Sequence, residues 1–211
     1  MKRKRAKWAV FIVLLTALLV GATVFAVYTD RQTGDYGFAR DVSAAEAALR
    51  LQVARTAESW YGASEHDNSH GPIIDRYNSH RPLAQGYLVQ YSDDWCATFV
   101  SFVAIECGLT DIIPTECGCQ RQIALFQKLC CWEERDDYTP LPGDIIYYSS
   151  KRPAGDSTAW SDHVGIVVGT RGRWIKVIEG NWEDKVEYRI IRIDDSYIRG
   201  YGLPDYGAIC E

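Results

Sequence analysis

The sequence has no internal repeat, no low-complexity tract and no overall excess of basic residues. Its 211 residues are too few for two full domains. A hydrophobic content of 47% and a charged content of 24% exclude a disordered or fibrous protein. The 23 basic and 28 acidic side chains give a formal net charge of −5, so no nucleic-acid partner is expected.

Acidic residues are missing before Asp30, and residues 8–28 carry no charge of either sign. This run is rich in Val, Leu, Ile and Phe, and a helix of ~20 apolar residues spans the hydrocarbon core of a bilayer. Residues 1–7 carry five basic side chains, which predicts a cytoplasmic tip followed by a transmembrane signal anchor. We therefore expect a cell-membrane protein whose remaining residues are extracellular.

A cleaved signal peptide is the alternative, with small residues at 24–26 as a cleavage site. The apolar run is longer than the ~7–15 residues of a usual signal core, which favours the uncleaved anchor. Cleavage would make the protein secreted, and both interpretations export residues 41–211, the predicted folded domain. Residues 29–40 are polar, contain two glycines and are predicted to form a linker.

The residue pattern of the exported part changes from helical to extended along the chain. Apolar residues spaced three and four positions apart predict helices over 42–60, 95–105 and 120–131. Residues 62–93 are mostly polar and are predicted to be a long loop with one helical turn at most. Short apolar runs then predict five strands, at 144–148, 163–168, 174–179, 186–193 and 198–203. Helices followed by a meander of strands predict an α+β fold with an antiparallel sheet.

Three residues could form a thiol-based hydrolytic site. Cys96 lies at a predicted helix start, where backbone N–H groups and the helix dipole favour a thiolate. His163 opens one strand and Glu179 closes the next, so an antiparallel hairpin would make them neighbours. Nucleophile, base and orienting carboxylate form a papain-like constellation. Taken singly, each residue has an ordinary interpretation as a buried thiol, a loop histidine or a turn residue.

Several sequence blocks resemble the CHAP domain, the cysteine, histidine-dependent amidohydrolase/peptidase module of bacterial and phage cell-wall hydrolases. The resemblance covers about residues 45–206. The blocks are Trp-Cys-Ala-Thr-Phe-Val-Ser at 95–101, Pro-Gly-Asp-Ile-Ile at 142–146, Asp-His-Val-Gly-Ile-Val at 162–167 and Ile-Glu-Gly-Asn at 178–181, with a closing strand near 200–204.

This resemblance implies a papain-like fold of the NlpC/CHAP type, with N-terminal helices packed on the antiparallel sheet. It also implies that Cys96 is the nucleophile, His163 the base, Glu179 the third member and Asn181 a fourth polar group of the site. Family members cut amide bonds of peptidoglycan. We therefore expect peptidoglycan as the partner and either N-acetylmuramoyl-L-alanine amidase or peptide endopeptidase activity.

Other functions remain open at this point. NlpC-type peptidases usually show Asp-Cys-Ser around the nucleophile and a second histidine as the orienting residue. This chain has Trp-Cys-Ala around Cys96, and His163 is the single histidine that follows Cys96, which favours the CHAP interpretation. A thiol peptidase acting on proteins and a non-catalytic module for wall binding or envelope assembly are the alternatives. Trp95, Trp160 and Trp182 lie near the proposed site residues and are predicted to line a groove for sugar or peptide, with core packing as the alternative.

No metal and no cofactor is expected. Some family members bind calcium through closely spaced acids just before the cysteine, but this chain has only Asp93 and Asp94 there, so calcium is not predicted. His66 and His70 lie in a polar segment and are predicted to be solvated. The remaining cysteines lack a standard zinc spacing. An exported protein permits disulfides, but no pairing is assigned to the six cysteines that remain beside Cys96. These are Cys107, Cys117, Cys119, Cys130, Cys131 and Cys210.

Overall fold

The computed structural model describes residues 34–150 and 159–209, and the chain from Tyr36 onward forms one compact unit. The predicted tip at 1–7, the predicted anchor at 8–28 and the start of the predicted linker lie outside the described residues, as does Cys210. Across the two described ranges, no helix is both long and apolar enough to cross a membrane.

The described fold combines helices with one antiparallel sheet, which confirms the predicted α+β class. The helices are α1 (Ala44–Glu58), α2 (Gly71–Ser79), α3 (Cys96–Cys107), α4 (Cys119–Lys128) and α5 (Tyr206–Ile209), with a 3₁₀ turn at Ala84–Gly86. The strands are β1 (Trp132–Glu133), β2 (Ile145–Tyr148), β3 (His163–Arg171), β4 (Trp174–Trp182), β5 (Lys185–Arg192) and β6 (Ile198–Gly202). They lie in the order β1-β6-β2-β3-β4-β5, and all neighbours are antiparallel.

Helix α3 is the central helix of the fold. Every residue from Cys96 to Ile105 is buried, because the helix contacts α1, α2 and the face formed by β3 and β4. It ends at Gly108, whose φ of 69° lies in the left-handed region that glycine adopts without strain. The first residue of this helix is therefore held against the sheet.

An ion pair in the interior joins α1 to the start of β2. The Arg50 guanidinium lies 2.7 Å from the Asp144 carboxylate, and both side chains are buried. Asp144 also accepts a hydrogen bond from the backbone N–H of Leu141 at 2.8 Å. The pair fixes the helical layer relative to the sheet.

The segment predicted as a long loop, 62–93, contains a nine-residue helix, α2, so that prediction was wrong. Pro72 lies in the first turn, where its missing N–H costs nothing. Ile73, Ile74 and Tyr77 form a buried face that packs on α3. Burial of this short apolar face outweighs the polar composition of the segment.

The last residues of the predicted linker contact the folded unit. Gly37 exchanges two backbone hydrogen bonds with Thr170, at 3.1 and 2.9 Å, near the end of β3. The Arg40 side chain donates hydrogen bonds to the carbonyl oxygen of Thr139 and to the hydroxyl of Tyr138. The chain therefore joins the fold a few residues before position 41.

Candidate active site

Cys96 is the first residue of α3. Trp95 precedes it with non-helical backbone angles, so the N–H groups of the first helical turn are available near the thiol. The Cys96 side chain is buried in the cluster that joins the helices to the sheet. A negative charge on the Cys96 sulfur is favoured by the dipole of this twelve-residue helix.

The hairpin of β3 and β4 brings His163 and Glu179 together. His163 Nε2 lies 3.1 Å from Glu179 Oε2, and the Glu179 side chain is fully buried. Gly165 makes this possible, because a Cβ atom there would lie 2.6 Å from Glu179 Cγ. With Nε2 bound to Glu179, Nδ1 is the ring nitrogen left to interact with the Cys96 thiol.

The electrostatics of the site favour a thiolate–imidazolium pair. The hydrogen bond from Cys119 and then the interaction with His163 lower the pKa of the Cys96 thiol to about 5, against the opposing effect of burial. Burial lowers the pKa of His163, but hydrogen bonds and negative charges from Cys96 and Glu179 outweigh it and raise that pKa to about 10. The two groups titrate as one coupled pair.

Cys119 is a site residue that sequence reasoning missed. It begins α4, and its sulfur lies 3.5 Å from the sulfur of Cys96. The two cysteines are 23 positions apart in the sequence, and no spacing motif links them. Only the tertiary packing of α3 and α4 reveals the contact.

Arg189 on β5 is a second residue that the sequence did not single out. Its guanidinium lies 3.5 Å from Glu179 Oε2 and packs over the rings of Trp182 and Tyr148, at 4.0 and 4.8 Å from their centroids. The guanidinium therefore supplies a positive partner to the buried carboxylate. Arg189 and His163 therefore contact the same carboxylate oxygen of Glu179.

A cleft of about 240 Å³ opens beside the imidazole. The His163 ring stacks on Tyr148 at a centroid distance of 5.9 Å and lies 5.5 Å from Trp182. The cleft is mainly aromatic, with a few polar side chains, and is lined by Tyr148, Ser150, Asp162, His163, Trp182, Arg189 and Tyr197. Such a surface can hold an apolar or planar part of a substrate next to the reacting groups.

Asn181 lies at the edge of this arrangement. Its backbone φ of 58° is in the left-handed region, and its Nδ2 lies 3.4 Å from Asp94 Oδ1. The structure thus brings Cys96, His163 and Glu179 together, whereas the Asn181 amide joins the end of β4 to the segment before Cys96.

The three tryptophans occupy different environments. Trp95 has no exposed surface, donates a hydrogen bond to Glu65 at 2.9 Å and packs on His70, so it is a core residue and the groove prediction is wrong for it. Trp182 contacts His163, and Trp160 is 69% exposed. For these two, substrate contact stays a prediction.

His70 also differs from the sequence expectation. It is 2% exposed, and its two ring nitrogens lie 3.2 and 3.0 Å from the backbone oxygens of Ser64 and Tyr91. His66 is exposed, as expected. Within the described parts of the chain, no cluster of His, Cys, Asp or Glu could hold a metal ion, and the six cysteines there are free thiols.

One family model matches part of the chain. The family model of the CHAP domain matches residues 86–181, a segment that begins before α3 and ends at Asn181. No curated protein and no solved structure matches the chain. The matched segment includes Cys96, His163 and Glu179, so the resemblance inferred from the sequence blocks is confirmed: residues 86–181 of this chain match the CHAP domain family.

Proposed function

We propose that this protein is a thiol-dependent peptidoglycan hydrolase that cuts an amide bond, either between glycan and stem peptide or within the peptides. One observation carries the proposal: a buried thiol at a helix start interacts with a histidine whose Nε2 is bound to a buried carboxylate. This arrangement suits nucleophilic attack on an amide. The CHAP match supports the cell wall as the source of that amide.

The proposed reaction uses each residue in a distinct step. The Cys96 thiolate attacks the amide carbonyl carbon, and the N–H of Cys96 donates to the oxyanion that forms. His163 gives its Nδ1 proton to the leaving amine, which leaves a thioester on Cys96. His163 then takes a proton from water, the resulting hydroxide cleaves the thioester, and the carboxylic acid product leaves. Glu179 holds the imidazole by its Nε2–H throughout.

The proposal includes an extracellular location. It rests on the sequence, in which residues 8–28 are uncharged and follow five basic side chains. A single-pass anchor there would hold the hydrolase at the outer face of the cell membrane, beside its proposed substrate. Protease added outside wall-stripped cells should then digest residues 41–211, whereas protection would contradict this orientation.

Digestion of purified cell wall tests the proposed activity. The protein should release soluble fragments, and mass spectrometry of the fragments should show one new amino group and one new carboxyl group per cut. Muropeptides that lose their whole stem peptide would identify an amidase, and shortened peptides an endopeptidase.

The Cys96→Ala protein should release nothing. A Cys107→Ser protein, which alters a thiol bound to Thr56 away from the site, is the matched control. Wall left intact by the unmodified protein would refute the proposal.

A further inference from the structure

The contact between Cys96 and Cys119 places a second thiol beside the proposed nucleophile. The two sulfurs lie 3.5 Å apart, and the two residues are 6% and 7% exposed. Each cysteine is the first residue of its helix, so the positive ends of α3 and α4 converge on the same pair of sulfurs. A negative charge at this position is favoured by both helix dipoles.

Buried hydrogen bonds hold Cys119 in this position. The Gln122 side chain donates to the carbonyl oxygen of Pro114 at 2.8 Å and to the hydroxyl of Ser101 at 3.3 Å, and it accepts from the hydroxyl of Tyr147 at 3.0 Å. These bonds join α4 to α3 and to β2.

Gln120, the residue after Cys119, connects the start of α4 to the loop that precedes His163. Gln120 Oε1 accepts a hydrogen bond from the N–H of Ser161 at 3.1 Å, two residues before His163. The start of α4 is therefore positioned relative to both Cys96 and His163. Hydrogen bonds from Gln120 and Gln122 thus help to set the distance between the two sulfurs.

The surroundings of the two thiols decide which one ionises. Cys96 interacts with the imidazole of His163, whereas the carboxylate of Asp162, in the loop before β3, acts on Cys119 through its charge. The hydrogen bond to Cys96, burial and the negative charges of Cys96 and Asp162 raise the pKa of Cys119 well above its ordinary value. Tyr147 on β2 also lies near both sulfurs, and its phenol is neutral because burial raises its pKa well above the usual range. The imidazole of His163 beside Cys96 therefore favours the thiolate at Cys96 and the proton on Cys119.

We propose that Cys119 is a further catalytic residue of this hydrolase, whose S–H donates a hydrogen bond to the thiolate of Cys96. This inference rests on the proposed function, in which Cys96 is the nucleophile. The thiolate is then stabilised from two directions, by the imidazolium of His163 and by a neutral thiol that carries no charge into the site. Cys119 contacts the reacting sulfur itself, and no bond is formed or broken at Cys119 during the reaction.

The rate of Cys96 alkylation by iodoacetamide against pH tests this role in the full chain, under reducing conditions and with peptide mapping of the label. Cys119→Ala removes the donor, so the midpoint of the profile should rise by about one pH unit, which is about tenfold slower labelling on the acid side of the midpoint. Cys119→Ser keeps an O–H donor and should recover most of that shift. Cys107→Ser is the matched control and should leave the profile unchanged, because its thiol is bonded to Thr56 elsewhere in the fold.

The unmodified protein provides a test that needs no substitution. Between pH 5 and 8 the label should appear on Cys96 and not on Cys119, because only the first is a thiolate. Three results would each overturn the inference: equal labelling of both thiols, equal profiles in Cys119→Ala and Cys119→Ser, or isolation of the active protein with a Cys96–Cys119 disulfide.

Wall hydrolysis is not needed for these measurements. An inactive protein with the expected profiles would therefore refute the proposed function alone, and an active one with unshifted profiles would refute the inference alone.

Discussion

Replacing Glu179 with glutamine removes one negative charge from the site and changes almost nothing in shape. In the structure, Glu179 Oε2 lies 3.1 Å from His163 Nε2, and the carboxylate is fully buried. Glutamine can still accept a hydrogen bond from Nε2–H, but a neutral acceptor stabilises the imidazolium less than a carboxylate does. We therefore expect reduced activity with retained folding.

The size of the effect follows from the difference between the two hydrogen bonds. A bond to an ionised group contributes about 1.5–3 kcal/mol and a neutral one about 0.5–1.5 kcal/mol, so the exchange costs about 1.5 kcal/mol. That is about a tenfold loss in kcat/KM. Arg189, which lies 3.5 Å from the same oxygen, would lose its counter-charge, and its unpaired cation would destabilise the imidazolium further. Tenfold is therefore the lower bound.

The pH dependence should change in a defined direction. The pKa of His163 is raised to about 10, so the imidazolium is present below that pH and is lost as the pH rises through it. Without the carboxylate, the pKa of His163 falls, and the alkaline limb of kcat/KM should move to lower pH by about one pH unit. The acid limb, which reports the thiol of Cys96, should move less.

Steady-state wall hydrolysis measured from about pH 4 to about pH 11 checks both expectations. Glu187→Gln is the matched control, because Glu187 lies opposite Glu179 on β5 but forms its ion pair with Lys185. An alkaline limb that is unchanged in Glu179→Gln, or shifted equally in Glu187→Gln, would refute the assigned pairing of Glu179 with His163.

Three further substitutions have expected outcomes. Cys96→Ala should abolish wall hydrolysis while circular dichroism and the cooperative thermal melt are retained, and residual lysis would contradict the thiol mechanism. Gly180→Ala should lower the free energy of unfolding by about 1–3 kcal/mol, measured in urea, because the new Cβ would lie 2.4 Å from Phe99 Cβ; an unchanged midpoint would mean that the contact relaxes freely. Arg50→Leu should cost about 3–5 kcal/mol in the same assay by leaving the Asp144 charge buried and unpaired, and Asp144→Asn in the Arg50→Leu background should recover part of that loss.

Most of the helix and strand pattern could be predicted because the residues that form each element are close together in the sequence. The apolar run after Trp95 and the stop at Gly108 predict α3, and alternating turns and β-rich runs predict the hairpin that carries His163 and Glu179. The proximity of those two side chains then follows from antiparallel pairing alone. Helix α2 was missed because three buried residues, Ile73, Ile74 and Tyr77, were too few to outweigh a polar, proline-containing segment.

The parts that could not be predicted depend on contacts between distant elements. Cys119 and Arg189 reach the site only through the packing of α4 on α3 and the pairing of β5 with β4. The environment of Trp95 was ambiguous for a different reason, because a tryptophan beside a nucleophile fits a groove and a core equally well until its burial is known.

The backbone pairing of Gly37 with Thr170 determines how mechanical load would pass through the molecule. Thr170 lies seven residues along β3 from His163, a separation of about 23 Å at ~3.3 Å per residue. A pull on the N-terminal segment would therefore act at the end of β3 remote from the imidazole and would load the two hydrogen bonds between Gly37 and Thr170. In a protein attached through its N-terminal segment, as proposed above, these two backbone hydrogen bonds would oppose tension at a distance from the reacting atoms.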